Sequence, residues 1–541
     1  MNGILVSSQN ARALDAEAAS DWAFNPFALV EAAGRSCADV FTASYPCFFT
    51  ASFEKNLRIV AVSGGGNNGA DAMVMLRSLI LKEFVRPDLA AIVITRIPGA
   101  GDKNPLSETL RSMKKMKVPI LVWDYAGEEA GRACEDILAC ADIIIDGIAG
   151  TGLKGPLRDS PAVMAEAINR LKKNRPAPSG GLSTPFVVSI DLPSGNSDHF
   201  TPGMPVLEAD AVLALEPRKL CLYRPASRIF CGTILSVGGV FPPELIKKFT
   251  DARLEDWRSS ASRIPVIQAS AYKRERGAVE IRAGSPGTTG AAKIAARGAQ
   301  AAGAGLISLI ADTSIYPILA ADASGVMVIP ESAEKENGEN SHSPDAALLG
   351  PGWGKGPDRI RILQRYLERE KDGLPLILDA DAIPLAVDVR FHGNVILTPH
   401  PGEFEQYTGI PREEILADPL PILVRTAREK NAVILFKSHV LFIASFDGRV
   451  GIIDGMAPVL AAGGSGDLLA GFCAGIAARL NAERRSSPGG AFDGYACACA
   501  AAALLIEAGK KTQGVRRFTD PMEIADTAAL LAGGAWLPEE K

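Results

Sequence analysis

Short apolar runs, each nearly continuous and separated from the next by alanine-rich stretches of helical character, constrain this chain more than any other feature. Leu57–Val62, Ala91–Thr95, Ile143–Ile145 and Phe186–Ile190 are of this kind. A strand that is apolar on both faces belongs in a parallel sheet covered by helices on both sides. The pattern predicts an α/β protein. With 541 residues the chain accommodates two large α/β domains. The stretch Phe249–Arg263, which carries charge, Trp257 and a serine-rich run, lacks periodicity, and a second α/β series begins near Val279. The expected organisation is therefore a domain over 1–245, a linker over 246–263 and a second domain over 264–541. Lys172–Thr184 and Glu331–Pro344 read as polar loops.

Composition narrows the function classes. Hydrophobic residues make up 47% and charged residues 22%, which excludes wholesale disorder. Lys and Arg total 57 against 62 Asp and Glu, so there is no basic footprint for nucleic acid. The longest apolar stretch, Tyr495–Ile506, falls short of the ~20 residues a membrane span requires. The first residues show no basic cluster followed by an apolar core, so no secretory signal is expected. Nine cysteines without Cys-x-x-Cys spacing and only five histidines argue against a zinc site. A reduced, soluble, cytoplasmic protein is expected.

Three segments of the first half carry chemistry. Ser63-Gly-Gly-Gly-Asn-Asn-Gly-Ala-Asp71 follows a strand and opens a helix, where backbone amides and the helix dipole favour an anion. Taken alone it fits a tight turn equally well, since it lacks Gly-x-Gly-x-x-Gly spacing. Ile143-Ile-Ile-Asp-Gly-Ile-Ala-Gly-Thr-Gly152 and Val187-Val-Ser-Ile-Asp-Leu-Pro-Ser-Gly195 place Asp146, Asp191 and Ser194 at the carboxyl ends of two further strands. Open α/β sheets bind ligands at that edge.

With Glu216-Pro-Arg-Lys219 and Cys231–Gly238, these segments resemble the YjeF N-terminal domain, the epimerase of hydrated NADH and NADPH (NADHX and NADPHX), over about residues 1–245. The resemblance implies a Rossmann-like parallel-sheet sandwich. It implies potassium held by Asn68, Asp146 and Ser194 through hard oxygen ligands, and Asp191 as acid/base. Substrate would lie on Asn67, Asn68, Gly69, Ala70 and Asp71, and on Gly150, Thr151, Gly152, Leu153, Lys154, Gly155 and Pro156. Where the family usually has Gly-Gly-Asp-Gly, this chain has Gly69-Ala70-Asp71-Ala72. Where it usually has Met-Glu-Asn-Ala-Gly, this chain has Val30-Glu31-Ala32-Ala33-Gly34. Each added methyl is expected to narrow a close backbone approach, and Ala32 to remove a polar contact.

The second half is densest at Ala462-Gly-Gly-Ser-Gly-Asp-Leu-Leu-Ala-Gly471, a glycine loop opening a helix, with Asp467 in its first turn. A carboxylate there is expected to be held in its charged form; simple helix capping is the alternative role. Gly284–Ala292 is a second glycine turn into a helix, and Leu349-Gly-Pro-Gly352 ends a strand. Asp379 and Asp381 lie two apart and are expected on one side of an extended chain. His400 sits between two prolines and close to Glu403.

Together these segments resemble the ribokinase-like NAD(P)HX dehydratase over about residues 264–540. That family phosphorylates the misplaced hydroxyl of the hydrated cofactor from ADP or ATP, then eliminates phosphate. The resemblance makes Asp467 the base and Gly466 part of the phosphoryl-stabilising loop. Ala291, Gly352 and His400 become substrate contacts, and Lys437, Ser438, His439, Val440 and Leu441 nucleotide contacts. It also implies magnesium, ADP in preference to ATP, and a homo-oligomer. Departures fall near the nucleotide: Lys437-Ser-His-Val-Leu441 replaces Lys-Gly-x-x-Thr, and Asp379-Ala-Asp-Ala-Ile-Pro384 lacks the usual Asn. The expected activity is epimerisation of R- and S-NAD(P)HX with nucleotide-dependent dehydration of the S form. A ribokinase-like small-molecule kinase, or an active dehydratase with a ligand-binding but non-catalytic first domain, are the alternatives.

Overall fold

The computed structural model describes residues 3–49, 56–99, 102–123, 128–174, 185–333, 343–486, 490–515 and 519–534. It divides into Met1–Arg253 and Leu254–Lys541. Most of the two polar loops read from sequence, 175–184 and 334–342, lies outside the described residues.

In the first unit the apolar runs become strands buried along almost their whole length. β1 (Ile4–Val6) stands apart from a sheet made of β2 (Ile59–Ser63), β3 (Ala90–Ile94), β4 (Ile120–Val122), β5 (Ile143–Gly147), β6 (Phe186–Ile190), β7 (Ala211–Leu215) and, after the short β8 (Arg218–Lys219), β9 (Thr233–Val237). Among the described residues this sheet is seven-stranded, wholly parallel and ordered β4-β3-β2-β5-β6-β7-β9. The order runs outward in both directions from β2 and β5. The crevice beyond their carboxyl ends is therefore the switch point where ligands of such sheets bind. Helix α1 (Ser8–Ser20) packs its apolar residues with β1, Leu245, Ile246 and Phe249, while α2 (Pro26–Ser44) and α3 (Asn67–Leu81) supply apolar faces that the sheet needs. Away from that sheet, β1 pairs with β8 in parallel and with β10 (Ala252–Leu254) antiparallel. The aperiodic stretch near residue 250 thus contains a short strand, followed by a helix at Trp257–Ala261.

The second unit repeats the logic. Strands β11 (Ala278–Arg282), β12 (Leu306–Ala311), β13 (Met327–Pro330), β14 (Ala346–Leu349), β15 (Leu376–Leu378), β16 (Val395–Leu397) and β17 (Val433–Phe436) run parallel in the order β13-β12-β11-β14-β15-β16-β17. Its switch point lies between β11 and β14. Strands β18 (Val440–Ala444) and β19 (Val450–Asp454) then turn antiparallel, because only three residues, Lys437–His439, separate β17 from β18 and no crossover helix fits in that length. Helix α4 (Thr289–Ala301) packs on a long later helix, α6 (Ser465–Ser486), with α5 (Pro401–Thr408) preceding it in the chain. Gly298, Gly471 and Gly475 allow that close approach: a Cβ on Gly471 would lie 2.2 Å from the Ala295 carbonyl oxygen. The Cys497 and Cys499 run forms the buried α7 (Gly494–Val515). Among the described residues no helix is long and apolar enough to cross a membrane.

Candidate active sites

In the first unit, loops from the switch point meet closely. Gly64 abuts the loop after β5 so tightly that a Cβ would lie 1.9 Å from the Ile148 carbonyl oxygen. Gly66 caps α3 and brings no side-chain oxygen, which leaves first-turn amides open to a ligand. Above them lies a cavity of about 1040 Å³. Asn67, Asn68, Asp71, Gly150, Thr151, Gly152, Leu153 and Asp191 line it, and α1 and α2 wall it with Arg12, Asp15, Val30 and Ala33. Lys154 and Gly155 line a smaller adjoining recess beside Arg12 and His199. Gly69 and Ala70 are buried beneath the loop, and Pro156 lines neither space.

The replaced positions Ala32, Ala70 and Ala72 are likewise outside the cavity lining. The methyl of Ala72 faces Gly147, 2.6 Å from where a Cβ would stand on that glycine. The added methyls are therefore absorbed by packing behind the loop and do not narrow the ligand space.

Asp146 is fully buried at the end of β5. Its Oδ1 accepts from the Ser194 hydroxyl at 2.5 Å and the Ile148 amide at 3.1 Å; its Oδ2 accepts from the Ser189 hydroxyl at 2.7 Å and the Ser194 amide at 2.9 Å. Burial nevertheless raises its pKa above the ordinary carboxylate range, against those four donors. Asn68 Nδ2 donates to the Ala149 carbonyl at 3.2 Å, and the Ala149 amide donates to Ser194 Oγ at 2.9 Å. Asn68, Asp146 and Ser194 are thus brought together around Ala149.

Asp191 sits on a left-handed turn after β6, with φ of 63°. Its Oδ1 accepts from Lys219 Nζ at 2.7 Å and from the Leu215 amide at 3.2 Å. Two cavity residues escaped the sequence reading as functional groups, Lys219 and Asp15. Lys219 is the last residue of a quoted motif. The signal for Asp15 is weaker: a charge one turn after Arg12 in an alanine-rich helix.

The second unit gathers its own cluster at its strand ends. Lys437, just past β17, donates to Asp379 Oδ1 at 2.6 Å and lies 3.9 Å from Glu403 Oε2. Asp379 also accepts from the Thr398 hydroxyl at 2.7 Å. The Lys437 ammonium faces the glycine loop, 3.4 Å from where a Cβ would stand on Gly466. His400 caps α5 through Nδ1, which accepts from the Gly402 amide at 3.0 Å and the Glu403 amide at 3.2 Å, while its Nε2 lies 3.3 Å from Glu403 Oε1. Ala291 and Gly352 adjoin at the β11/β14 switch point, where the Thr288 hydroxyl donates to the Gly352 carbonyl at 2.7 Å. Ser438 and His439 form the turn into β18. Val440 and Leu441 lie in that strand with their side chains in the core, so only their backbone can meet a nucleotide.

Two expectations change. Asp379 and Asp381 do not share a side of an extended chain: residues 380–382 turn sharply, and Asp381 accepts from the Gly354 amide at 2.8 Å, away from Lys437. Asp467 is also not held charged by its helix terminus. Burial first, then the Asp379 charge, with Glu403 adding to it, raise its pKa to about 6 against the opposing pull of Lys437. Desolvation and two like charges outweigh the dipole.

Gly350 positions Asp379: its φ is +126°, and a Cβ there would lie 1.7 Å from the Asp379 carbonyl oxygen. Gly350→Ala is expected to destabilise the second unit by at least about 3 kcal/mol, from overpacking plus backbone strain. Urea unfolding followed at a probe in that unit measures it; a loss below about 1 kcal/mol contradicts this packing.

Comparisons with known proteins agree with this division. The profile of the NAD(P)H-hydrate dehydratase family matches residues 279–529, and that of the YjeF-related protein N-terminus matches residues 26–221. A bifunctional NAD(P)H-hydrate repair enzyme of Moorella thermoacetica is 30% identical over 87% of this chain and 88% of its own length. One from Escherichia coli is 28% identical over 76% of this chain and 74% of its own. An ADP/ATP-dependent NAD(P)H-hydrate dehydratase structure from Bacillus subtilis overlays with a TM-score of 0.45 at 23% identity, covering 51% of this chain and 97% of its own. With both halves matched in order and a full-length relative at that identity, this chain belongs to the bifunctional NAD(P)H-hydrate repair enzyme family.

Proposed function

We propose that the first unit interconverts the R and S epimers of NADHX and NADPHX, and that the second dehydrates the S form to NADH or NADPH using ADP or ATP. The observation that carries the reading is shared by the two halves. Each holds its motif carboxylate, Asp191 or Asp467, at the carboxyl edge of a parallel sheet beside an amide-rich glycine loop.

In the second unit Asp467 removes the proton of the substrate hydroxyl as that oxygen attacks the terminal phosphoryl group. Its raised pKa puts its basicity close to neutral, where a general base works best. The amides at Gly466 and the Lys437 ammonium stabilise charge on the transferring group. Asp379 and Glu403 hold that ammonium in place. Magnesium, when bound, neutralises phosphate charge. Lys437, the Ser438–His439 turn and the backbone of Val440 and Leu441 form the nucleotide end; Ala291, Gly352 and His400 face the hydrated nicotinamide. ADP is the favoured donor. Phosphate then leaves with the C–O bonding pair, the neighbouring ring carbon gives up a proton to water or phosphate, and the ring double bond returns. A kinase would stop at the phosphorylated product.

In the first unit the oxygens of Asp146, Ser194 and Ala149 suit potassium, with the Asn68 amide supplying a fourth when it turns to present Oδ1 in place of Nδ2. Together they form a hard, mixed oxygen set around a buried carboxylate that has no cationic side chain against it among the described residues. The ion would supply the missing counter-charge beneath the substrate loops. Epimerisation is therefore expected to fall at least about tenfold when sodium replaces potassium, on the usual scale of altered metal sites, with dehydration of pure S epimer unchanged. Equal epimerisation in the two salts removes potassium from the account.

The alternative of a first unit that only binds ligand is disfavoured because none of its alanine replacements reaches the cavity. The test is direct. Pure R-NADHX is incubated with the full chain without nucleotide and resolved by chromatography. The S epimer is expected to appear at a rate proportional to protein; R that persists at its uncatalysed rate overturns the epimerase assignment.

A further inference from the structure

Water adds to an enamine at the carbon bonded to nitrogen, so the hydroxyl of the hydrated nicotinamide sits on a ring carbon next to the ring nitrogen. Inverting that carbon moves the hydroxyl from one face of the ring to the other. A carboxyl group fixed on one face can serve departure or return there, but not both faces.

Five carboxyl groups line the cavity of the first unit, Asp15, Asp71, Asp159, Asp191 and Glu216, with one ammonium, Lys219; of these, Asp15, Asp71, Asp191 and Lys219 lie close enough for their charges to act on one another. They are not equivalent. Asp191 is anchored through Oδ1 by Lys219 and the Leu215 amide, which leaves Oδ2 for the substrate. Asp71 is 6% exposed and its Oδ1 has no hydrogen-bond partner. Burial, with the Asp191 charge next, raises its pKa well above the ordinary value. Asp15 differs from both. It projects from α1, which walls the cavity with Arg12, Leu14 and Ala19, while Asp191 and Lys219 come from the sheet side. It is accessible from the cavity and close enough to Lys219 and Asp191 for both charges to act on it.

We infer that Asp15 is a second proton-transfer residue of the epimerase, serving the ring face opposite the one served by Asp191. This rests on the epimerase reading above. In one direction the carboxylic acid on the hydroxyl's face gives its proton to the oxygen. The C–O bond breaks, water departs, and the ring nitrogen lone pair closes an iminium bond. Water then adds to the same carbon from the other face, the iminium pair returns to nitrogen, and the carboxylate on that face takes the surplus proton. One carboxyl has lost a proton and the other has gained one. The opposite epimer runs the cycle back, and cavity water resets it otherwise. Asp15 is exposed to the cavity, yet the protein around it desolvates the carboxyl group and raises its pKa above the ordinary value, while the Lys219 charge opposes that rise and the Asp191 charge adds to it.

The experiment uses the full chain, R- and S-NADHX separately and ¹⁸O-labelled water without nucleotide, and reads inversion and oxygen exchange separately. The parent chain is expected to invert and to exchange together. Asp15→Asn is expected to lose about 100-fold in inversion, the low end for a general acid–base group, while exchange with retention continues through Asp191 for the one epimer whose hydroxyl faces it. Asp15→Glu, which keeps the carboxyl group, is expected to stay within about tenfold of the parent. Inversion by Asp15→Asn within about threefold of the parent, or loss of inversion and exchange in equal measure in Asp15→Asn and Asp15→Glu alike, overturns the proposal. A parent that leaves both epimers untouched overturns the epimerase reading itself.

Discussion

Asp467→Asn is expected to lower dehydration of S-NAD(P)HX on the order of 1000-fold, within the range for loss of a general base, and to leave epimerisation as it was. Asn preserves the shape at the start of α6 but cannot accept the hydroxyl proton. The pH profile gives a second readout. In the free chain Asp467 ionises at about 6, so kcat/KM for dehydration should rise with pH through that value and level off above it. Removing the nearby positive charge makes the ionised form harder to reach. Lys437→Gln should therefore shift the rise to higher pH, besides lowering the plateau. A rise that stays near the ordinary carboxylate value of 3.8, or one unmoved in Lys437→Gln, contradicts this electrostatic reading.

Asp191→Asn should abolish epimerisation to within the last thousandth or so, again at the scale of general acid–base chemistry. It should also destabilise the first unit. The Asp191–Lys219 pair is buried, with side chains 9% and 8% exposed, and breaking it strands an ammonium without its counter-charge. That loss is typically about 3 kcal/mol or more. The two effects separate in the double variant Asp191→Asn with Lys219→Met, which removes the stranded charge. Stability should largely return while activity does not. Recovery of epimerisation in the double variant would place the chemistry elsewhere.

Much of this was legible in the sequence because the signals are local. Continuous apolar runs marked the parallel strands, and the motifs put Asp146 and Asp191 at strand ends and Asp467 in the first turn of a helix, where they are found. What could not be read depends on contacts distant in the chain. Asp15 reaches the cavity only because α1 comes to lie beside loops at residues 65–68 and 148–153, far along the chain. Lys437 pairs with Asp379 across 58 positions, and burial first, then the Asp379 charge against that of Lys437, governs the ionisation of Asp467. The turn at residues 380–382 separates two carboxylates that strand periodicity would have put side by side. The buried methyls of Ala70 and Ala72 likewise show that a change inside a motif need not face the ligand.

The measurement closest to the central claim follows absorbance at 340 nm after the full chain is added to mixed epimers of NADHX, with magnesium, potassium and ADP or ATP. Two linked activities in one chain predict complete conversion to NADH, faster than the epimers interconvert unaided. Conversion that halts at the S fraction, or phosphorylated product that accumulates without NADH, contradicts it.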